Sequence, residues 1–286
     1  MKTAREWKEY RLVDSGDGEK LEYWGDWLLA RPDPQAIWPK SAPEKWAAAH
    51  GWYHRSGEGG GHWEWRAALP HEWEIHWRDL AFLVRPTDFK HTGLFPEQAV
   101  NWDWMQDAIR RAGRPVSILN LFAYTGAATV ACIAAGAEVC HVDAAKGMVR
   151  WAERNLEING LRQKPLRLIV DDVTAFVRRE ARRGRRYDAI IMDPPSYGRG
   201  SQGETWKIGR DLPELLVACR AVLSANPLFV QINGYTAGYP ATVYANLLQA
   251  IIGGAGRSEC GEIGLASESG LVLPCGIYAR WLPAPT

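Results

Sequence analysis

Cysteine is scarce in this chain. There are five in 286 residues, at positions 132, 140, 219, 260 and 275, with no C-x-x-C pair and no histidine cluster beside them. Neither a disulfide framework nor a zinc site is indicated, and no metal is expected. Net charge is as meagre. Thirty-four basic residues face thirty-three acidic ones, a formal charge of +1. That argues against a protein that holds nucleic acid over its whole surface, and any such contact must be a local patch. Long apolar runs are missing too. The most apolar stretch, Ile118 to Val139, is interrupted by Asn120, Tyr124, Thr125, Gly126, Thr129 and Gly136. It reads as strand, turn and helix, and no membrane partner is expected. Met1 to Tyr10 is charged and has no apolar export core, so the expected location is the cytoplasm. Finally, the turn after the first strand of the alternating region, which ends at Gly126, lacks the G-x-G-x-x-G fingerprint of dinucleotide binding.

What is present suffices for a folded protein of more than one part. Apolar residues make up 47% and charged residues 23% of the chain, enough to bury a core, and the length suggests two units. Tryptophan divides them. Twelve of the fifteen precede residue 105. There, Trp24-Gly-Asp-Trp27, Trp63-Glu-Trp65, Trp73-Glu-Ile75-His-Trp77 and Leu80–Val84 are short alternating or apolar runs. Asp-Gly, glycine-rich and Arg-Pro breaks part them, which is the grammar of strands and turns. Residues 1–90 are expected to form a β-rich domain, with a linker helix region over 91–112.

From 113 to 286 strands and helices alternate. Strands are expected at Val116–Phe122, Glu138–Val142, Leu166–Val170, Tyr187–Met192 and Leu228–Ile232. Helices are expected at Ala127–Ala135, Lys146–Asn159, Val173–Arg183, Asp211–Leu223 and Thr242–Ile252. Two strands without an intervening helix, Glu259–Leu265 and Gly276–Trp281, close the chain as an antiparallel edge hairpin. The fold class that follows is α/β, a doubly wound, mainly parallel, seven-stranded Rossmann-like sheet.

In such a sheet the ligand lies beyond the carboxyl ends of the strands, where strand order reverses. The first strand ends in Asn120-Leu-Phe-Ala-Tyr-Thr-Gly126. One glycine among larger residues favours a ligand without phosphates. The second strand ends at Asp143, seventeen residues past Gly126, an acid able to accept from both ribose hydroxyls. The third ends at Asp171-Asp172, and Asp172 is assigned to an adenine amine. Helix capping is the plain alternative for both acids. The fourth runs into Asp193-Pro-Pro-Ser-Tyr197. Two prolines fix a rigid loop with outward carbonyls. Asp193 and the Pro194 carbonyl would accept from an amino group and aim its lone pair at a sulfonium methyl, with Tyr197 stacking on a base. Positioning is most of what methyl transfer needs.

These motifs resemble those of bacterial AdoMet-dependent methyltransferases related to the 23S ribosomal RNA cytosine-C5 and guanine-N7 enzymes. The likeness runs from about residue 80 to the C-terminus. It implies that Phe122, Tyr124, Thr125, Gly126, Asp143, Asp172 and Asp193 line a pocket for S-adenosyl-L-methionine. Phe89-Lys-His-Thr-Gly-Leu-Phe95-Pro-Glu-Gln98 resembles the family's Thr-Gly-x-Phe-x-Asp-Gln segment, which implies roles for Phe95 and Gln98. Glu97 replaces the usual Asp. Lys207 resembles a basic residue that follows the Asp-Pro-Pro loop in relatives, a candidate catalytic group.

Cytosine C5 methylation needs a thiolate near the fourth or fifth strand end, and neither end carries a cysteine. Only Cys275 falls outside the expected helices and strands. Transfer to a base nitrogen of RNA, with ribosomal RNA the natural class, is therefore the expected function. The competing readings are a protein or small-molecule acceptor, a non-catalytic RNA-binding protein and an NAD(P)-dependent oxidoreductase. The basic run Arg178–Arg186 reads as a solvated helix end before it reads as an RNA contact. Most tryptophans read as core, with Trp63 or Trp65 as exposed candidates.

Overall fold

A computed structural model describes residues 1–57, 60–199, 205–235 and 238–284. The chain divides into two compact units, Met1–Val100 with Ile263–Cys275, and Asn101–Glu262 with Gly276–Thr286.

The first unit contains β1 (Lys2–Thr3), β2 (Tyr10–Gly16), β3 (Glu19–Trp24), β4 (Trp27–Pro32), the short α1 (Pro43–Trp46), β5 (Gly51–Arg55), β6 (Gly61–Trp65), β7 (Trp73–Trp77) and β8 (Leu80–Val84). Strands β2 to β6 form one sheet in chain order, and β7 and β8 a separate ribbon. Asp17-Gly18 joins β2 to β3 with φ of 52° and 77°, the left-handed pair that a tight hairpin needs. One face of the sheet buries Val13, Leu21, Leu28, Ala30, Trp46 and Ala49. The opposite face carries a buried polar cluster. Glu22 accepts from Tyr10 at 2.6 Å and from Arg31 at 2.6 and 2.8 Å. Burial works against its charge, yet Arg31 and Lys20 hold its pKa down at about 2. Ile263–Cys275, expected to stay with the methyltransferase sheet, belongs to this unit. Lys2 and Thr3 pair in parallel with Ile263 and Gly264, and Leu12 bridges Ser267.

The helix α2 (Ala99–Arg111) leads into the second unit. There β9 (Ser117–Leu121), α3 (Ala127–Ala134), β10 (Glu138–Asp143), α4 (Lys146–Ile158), β11 (Leu166–Val170), α5 (Val173–Arg182) and β12 (Ala189–Met192) alternate. The chain continues through β13 (Tyr197–Arg199), β14 (Thr205–Lys207), α6 (Ile208–Ala221), β15 (Phe229–Gly234), α7 (Ala241–Ile251), β16 (Arg257–Ala266) and β17 (Val272–Leu282). The sheet order is β1-β16-β17-β15-β12-β9-β10-β11, with the two-residue β1 making eight strands where seven were expected. The strands from β15 to β11 are parallel, and β17 runs against β15. This is the expected doubly wound sheet. Order reverses at β9, which has β10 on one side and β12 on the other.

Both faces of the sheet are covered. Leu119, Leu121, Val142, Ile190, Met192 and Ile232 pack with α5, α6 and α7 residues such as Phe176, Leu215 and Leu248. On the other face Thr129 of α3 bonds Asn120 and His141, at 2.9 and 3.0 Å. Burial explains the sequence pattern. All four residues of β12 are buried, so this strand is apolar throughout. Helix α5 buries Val173, Phe176, Val177 and Glu180, one helical stripe. Glu180 is tolerated because Arg167 and the Tyr187 hydroxyl bond it at 2.7 and 2.5 Å.

Candidate active site

The turn after β9 is strained by design of its neighbours. Phe122, Tyr124 and Gly126 have φ of 52°, 51° and 83°. Left-handed backbone at a non-glycine residue costs on the order of 1 kcal/mol or more and survives only where surroundings over-determine it. Here they do. The Ala123 amide donates to Val142 O at 3.1 Å and the Gly126 amide to Ala123 O at 3.0 Å. The Tyr124 amide donates to Asp143 Oδ2 at 2.8 Å. Buried Asn155 of α4 donates to Thr125 O at 2.8 Å. Glycine is required at 126, because a Cβ there would stand 2.7 Å from the Ala152 methyl.

Asp143 ends β10 beside this turn. Its second oxygen accepts from the Ala145 amide at 2.8 Å. Burial raises its pKa, and the two amides work against that rise. Next along the edge, the Asp171 amide donates to Asp143 O at 3.1 Å, while the Asp171 carboxylate pairs with Arg179. Asp172 caps α5 through Oδ1, which accepts from Ala175 N at 2.8 Å. The capping role weighed in the sequence is therefore realised in part, on one oxygen of an exposed carboxylate.

On the other side of β9, the Asp193 amide donates to Leu121 O at 3.4 Å. Pro194 is buried, and Pro195, Ser196 and Tyr197 are exposed. The chain then forms the β13–β14 ribbon, which places Tyr197 directly opposite Lys207. Trp206 closes the loop. Its indole donates to Pro195 O at 2.7 Å and its ring lies 5.1 Å from that of Phe122. The expectation of freely outward carbonyls is corrected to this extent, since Trp206 takes that of Pro195. The amide of Lys207 is held by Asp211 at 2.6 Å.

The structure thus brings Phe122, Tyr124, Thr125, Gly126, Asp143 and Asp193 to adjoining strand ends, with Asp172 one strand further out. Pro194, Tyr197 and Lys207 share the loop and ribbon after β12. Phe95 and Gln98 belong to the first unit, at the start of a 3-10 turn over Pro96–Gln98, with the Gln98 amide donating to Phe95 O at 3.0 Å. Two residues went unnoticed in the sequence, Asn155 and Trp206. Asn155 lies mid-helix and gives no motif. Trp206 had one signal, as a tryptophan far outside the N-terminal cluster.

Among the described residues no cysteine lies at the ends of β9, β10, β11 or β12, and Cys260 lies within β16. Cys132, Cys140 and Cys219 are buried, and burial pushes the first two thiols up to about 12 and about 11. Cys275 lies within β17, not outside it, and burial raises its thiol well above the ordinary range. The basic run is largely committed at its start. Arg178 pairs with Glu214, Arg179 with Asp171 and Arg183 with Glu180.

The turn also discriminates between ligands. A pyrophosphate needs free amides at the first helix N-terminus. Here the loop ahead of that helix carries one glycine where the dinucleotide fingerprint needs three, and its Ala123, Tyr124 and Gly126 amides are already used inside the protein. A cradle that closes its own amides, with an acid at the second strand end, fits a nucleoside without phosphates. It defines a nucleoside-cofactor α/β enzyme.

The chain belongs to the S-adenosylmethionine-dependent methyltransferase family, which it matches over residues 39–230. The fold is that of class I methyltransferases, and the family is one that depends on S-adenosylmethionine. A SAM-dependent methyltransferase from Agrobacterium tumefaciens, known as a crystal structure, is 38% identical over 99% of this chain and 93% of that one, with a TM-score of 0.93. SMU.776, a methyltransferase solved in complex with SAH, shares the fold at 19% identity and TM-score 0.74, covering 96% of this chain and 76% of that one. Among curated relatives, ribosomal RNA large subunit methyltransferase K/L of Marinobacter nauticus is 30% identical over 60% of this chain and 24% of its own length. The Pseudomonas aeruginosa protein of the same name is 32% identical over 57% of this chain and 22% of its own. The chain spans about a quarter of the length of these curated relatives.

Proposed function

We propose that this methyltransferase modifies a base nitrogen of RNA, with ribosomal RNA the substrate class, in the cytoplasm. The observation that carries the proposal is the Asp193-Pro194 turn, set beside the strained Phe122–Gly126 loop on an edge that holds no cysteine among the described residues. The likeness to ribosomal RNA methyltransferases supports the RNA half of the reading.

Bound S-adenosyl-L-methionine would supply a methyl already activated on a sulfonium. The protein's part is then orientation. Asp143, with a second lone pair on each oxygen, accepts from the ribose hydroxyls. Asp172 takes the adenine amine on the oxygen that does not cap α5. Phe122, Tyr124, Thr125 and Gly126 wall the remainder. Phe95 and Gln98 are candidates on the resemblance alone. Asp193 and the Pro194 carbonyl accept the hydrogens of the target amino group. This turns its lone pair toward the methyl and gives the departing proton a first acceptor. Tyr197, 52% exposed, offers a ring on which an extruded base stacks, and Lys207 opposite it faces the negative backbone.

Radiolabelled methyl transfer to total RNA and to protein extract, run side by side, tests the reading. Label in RNA, lost at least a hundredfold in Asp193→Ala with the fold intact, is the expected result. Label in protein alone would reject the RNA acceptor, and normal turnover by the variant would remove Asp193 from the mechanism.

A further inference from the structure

Strand β6 is an edge of the first unit's sheet, and two of its tryptophans share one face. Trp63 and Trp65 stack with ring centroids 4.7 Å apart and 11° between planes. The pair is pinned. Trp63 donates to Thr87 O at 2.9 Å and meets Tyr53 edge-on at 5.4 Å. Trp65 lies over Gly51, where a Cβ would come within 2.2 Å of its ring. Trp65 is nonetheless 43% exposed. A large aromatic held rigid and still open to water has little reason to be there for packing alone.

The same face carries cations, with Asp88 in the segment that crosses it and Asp33 near Lys90 as the acids beside them. Sheet register sets Arg55 opposite Gly61 and so on the side of Tyr53 and Trp63. Arg55 is exposed and makes no ion pair or hydrogen bond among the described residues. The segment from 87 to 90 crosses this face, with the carbonyls of Thr87 and Lys90 accepting from Trp63 and Arg31. Within it Phe89 is 62% exposed. Lys90 is half-buried, and its ammonium reaches only Pro32 O, at 3.4 Å, among the described residues. The nearby acid Glu22 is already taken by Arg31, Lys20 and Tyr10. Burial first, then the charges of Lys20, Arg31 and Arg55, push the Lys90 pKa down, against the pull of Asp33. An ammonium crowded by cations, and in no ion pair among the described residues, is stabilised by an incoming anion.

We propose that this face is a second RNA-binding surface, on which unpaired bases stack against Trp65 and Phe89 while Arg55 and Lys90 hold a backbone phosphate. Rigid aromatic faces among unneutralised cations are what single-stranded nucleic acid requires, and a local patch is what a chain of net charge +1 permits. The inference rests on the RNA reading above.

The experiment measures binding of an unstructured fluorescein-labelled RNA oligonucleotide across a salt series, together with KM and kcat for ribosomal RNA. It compares wild type, Trp65→Ala, Trp65→Phe and Arg55→Glu. Trp65→Ala is expected to weaken binding and raise KM about tenfold with kcat unchanged, and Trp65→Phe to restore most of both. Arg55→Glu is expected to weaken binding at every sequence and to lower the slope of log affinity against log salt by about one. AdoMet affinity should be the same in all four. If wild type methylates RNA and both Trp65→Ala and Arg55→Glu bind it as well as wild type, the surface is overturned and the substrate reading stands. Wild-type transfer to protein and not to RNA would overturn the substrate reading, and this surface with it.

Discussion

Asp143 uses one carboxylate for two ends. Its oxygens take the Tyr124 and Ala145 amides, which shapes the turn, and their remaining lone pairs face the proposed ribose. Asp143→Asn keeps the size but replaces one acceptor by a donor, so one of those amides loses its partner. Charge-assisted bonds of this kind are worth about 1.5–3 kcal/mol, and AdoMet affinity is expected to fall at least tenfold in calorimetry. The pH dependence follows in sign. The site needs the ionised form, and burial raises the pKa. Affinity is thus present above that raised pKa and lost as pH falls through it, at a higher pH than an ordinary aspartate would give. An affinity unchanged down to pH 4 would contradict the role. The placement of Gly126, Asp143, Asp172 and Asp193 just past strand ends was legible because the strand ends follow from apolar runs. Asn155 and Trp206 act through tertiary contacts to Thr125 and Pro195, which no spacing along the chain encodes.

Elements were legible where burial dictates their pattern. Leu166–Val170 was placed to the residue, and α3, α4 and α5 to within one. Misreadings cluster where local chemistry decides. Helix α6 starts at Ile208, three residues before Asp211, because Asp211 reaches back to the Lys207 amide. The β13–β14 ribbon was missed because its strands are three residues each, too short to show alternation. Trp206→Ala should free this ribbon from Pro195 and lower kcat more than AdoMet affinity; an unchanged kcat would show that the ribbon needs no such anchor. A second expectation concerns β10. His141 is fully buried against Thr129, and burial lowers its pKa to about 3. The unfolded chain binds the extra proton below about pH 6.5. This stability is therefore complete above that value and lost between it and about pH 3, by up to about 1.4 kcal/mol per pH unit. His141→Asn, which keeps a partner for Thr129, should flatten the fall in urea midpoint between pH 7 and pH 5. An unaltered slope would assign the acid sensitivity elsewhere, with His91, also lowered by burial, to about 4, the next group to examine.

At the scale of the whole molecule, the change from a strand-rich region to alternating strands and helices was readable from tryptophan usage and strand–helix alternation. The path of the closing hairpin was not. Its base continues the second unit's sheet while Ile263–Cys275 joins the first, an outcome set by the pairing of Lys2 and Thr3 with Ile263 and Gly264. Residues 261 positions apart give no local signal of such a match. The proposed cofactor edge lies within one continuous run from β9 to β12 of the second unit, so consecutive elements would build the cradle. No helix among the described residues is long and apolar enough to cross a membrane. The central claim is that the carboxyl ends of β9, β10, β11 and β12 converge on one adenosyl group. A crystal structure with S-adenosylhomocysteine tests it most directly. The expected result is density for the ribose at Asp143, the adenine toward Asp172 and the sulfur open toward Asp193. Density at any other place on the protein, or these four strand ends untouched at saturating ligand, would contradict the account.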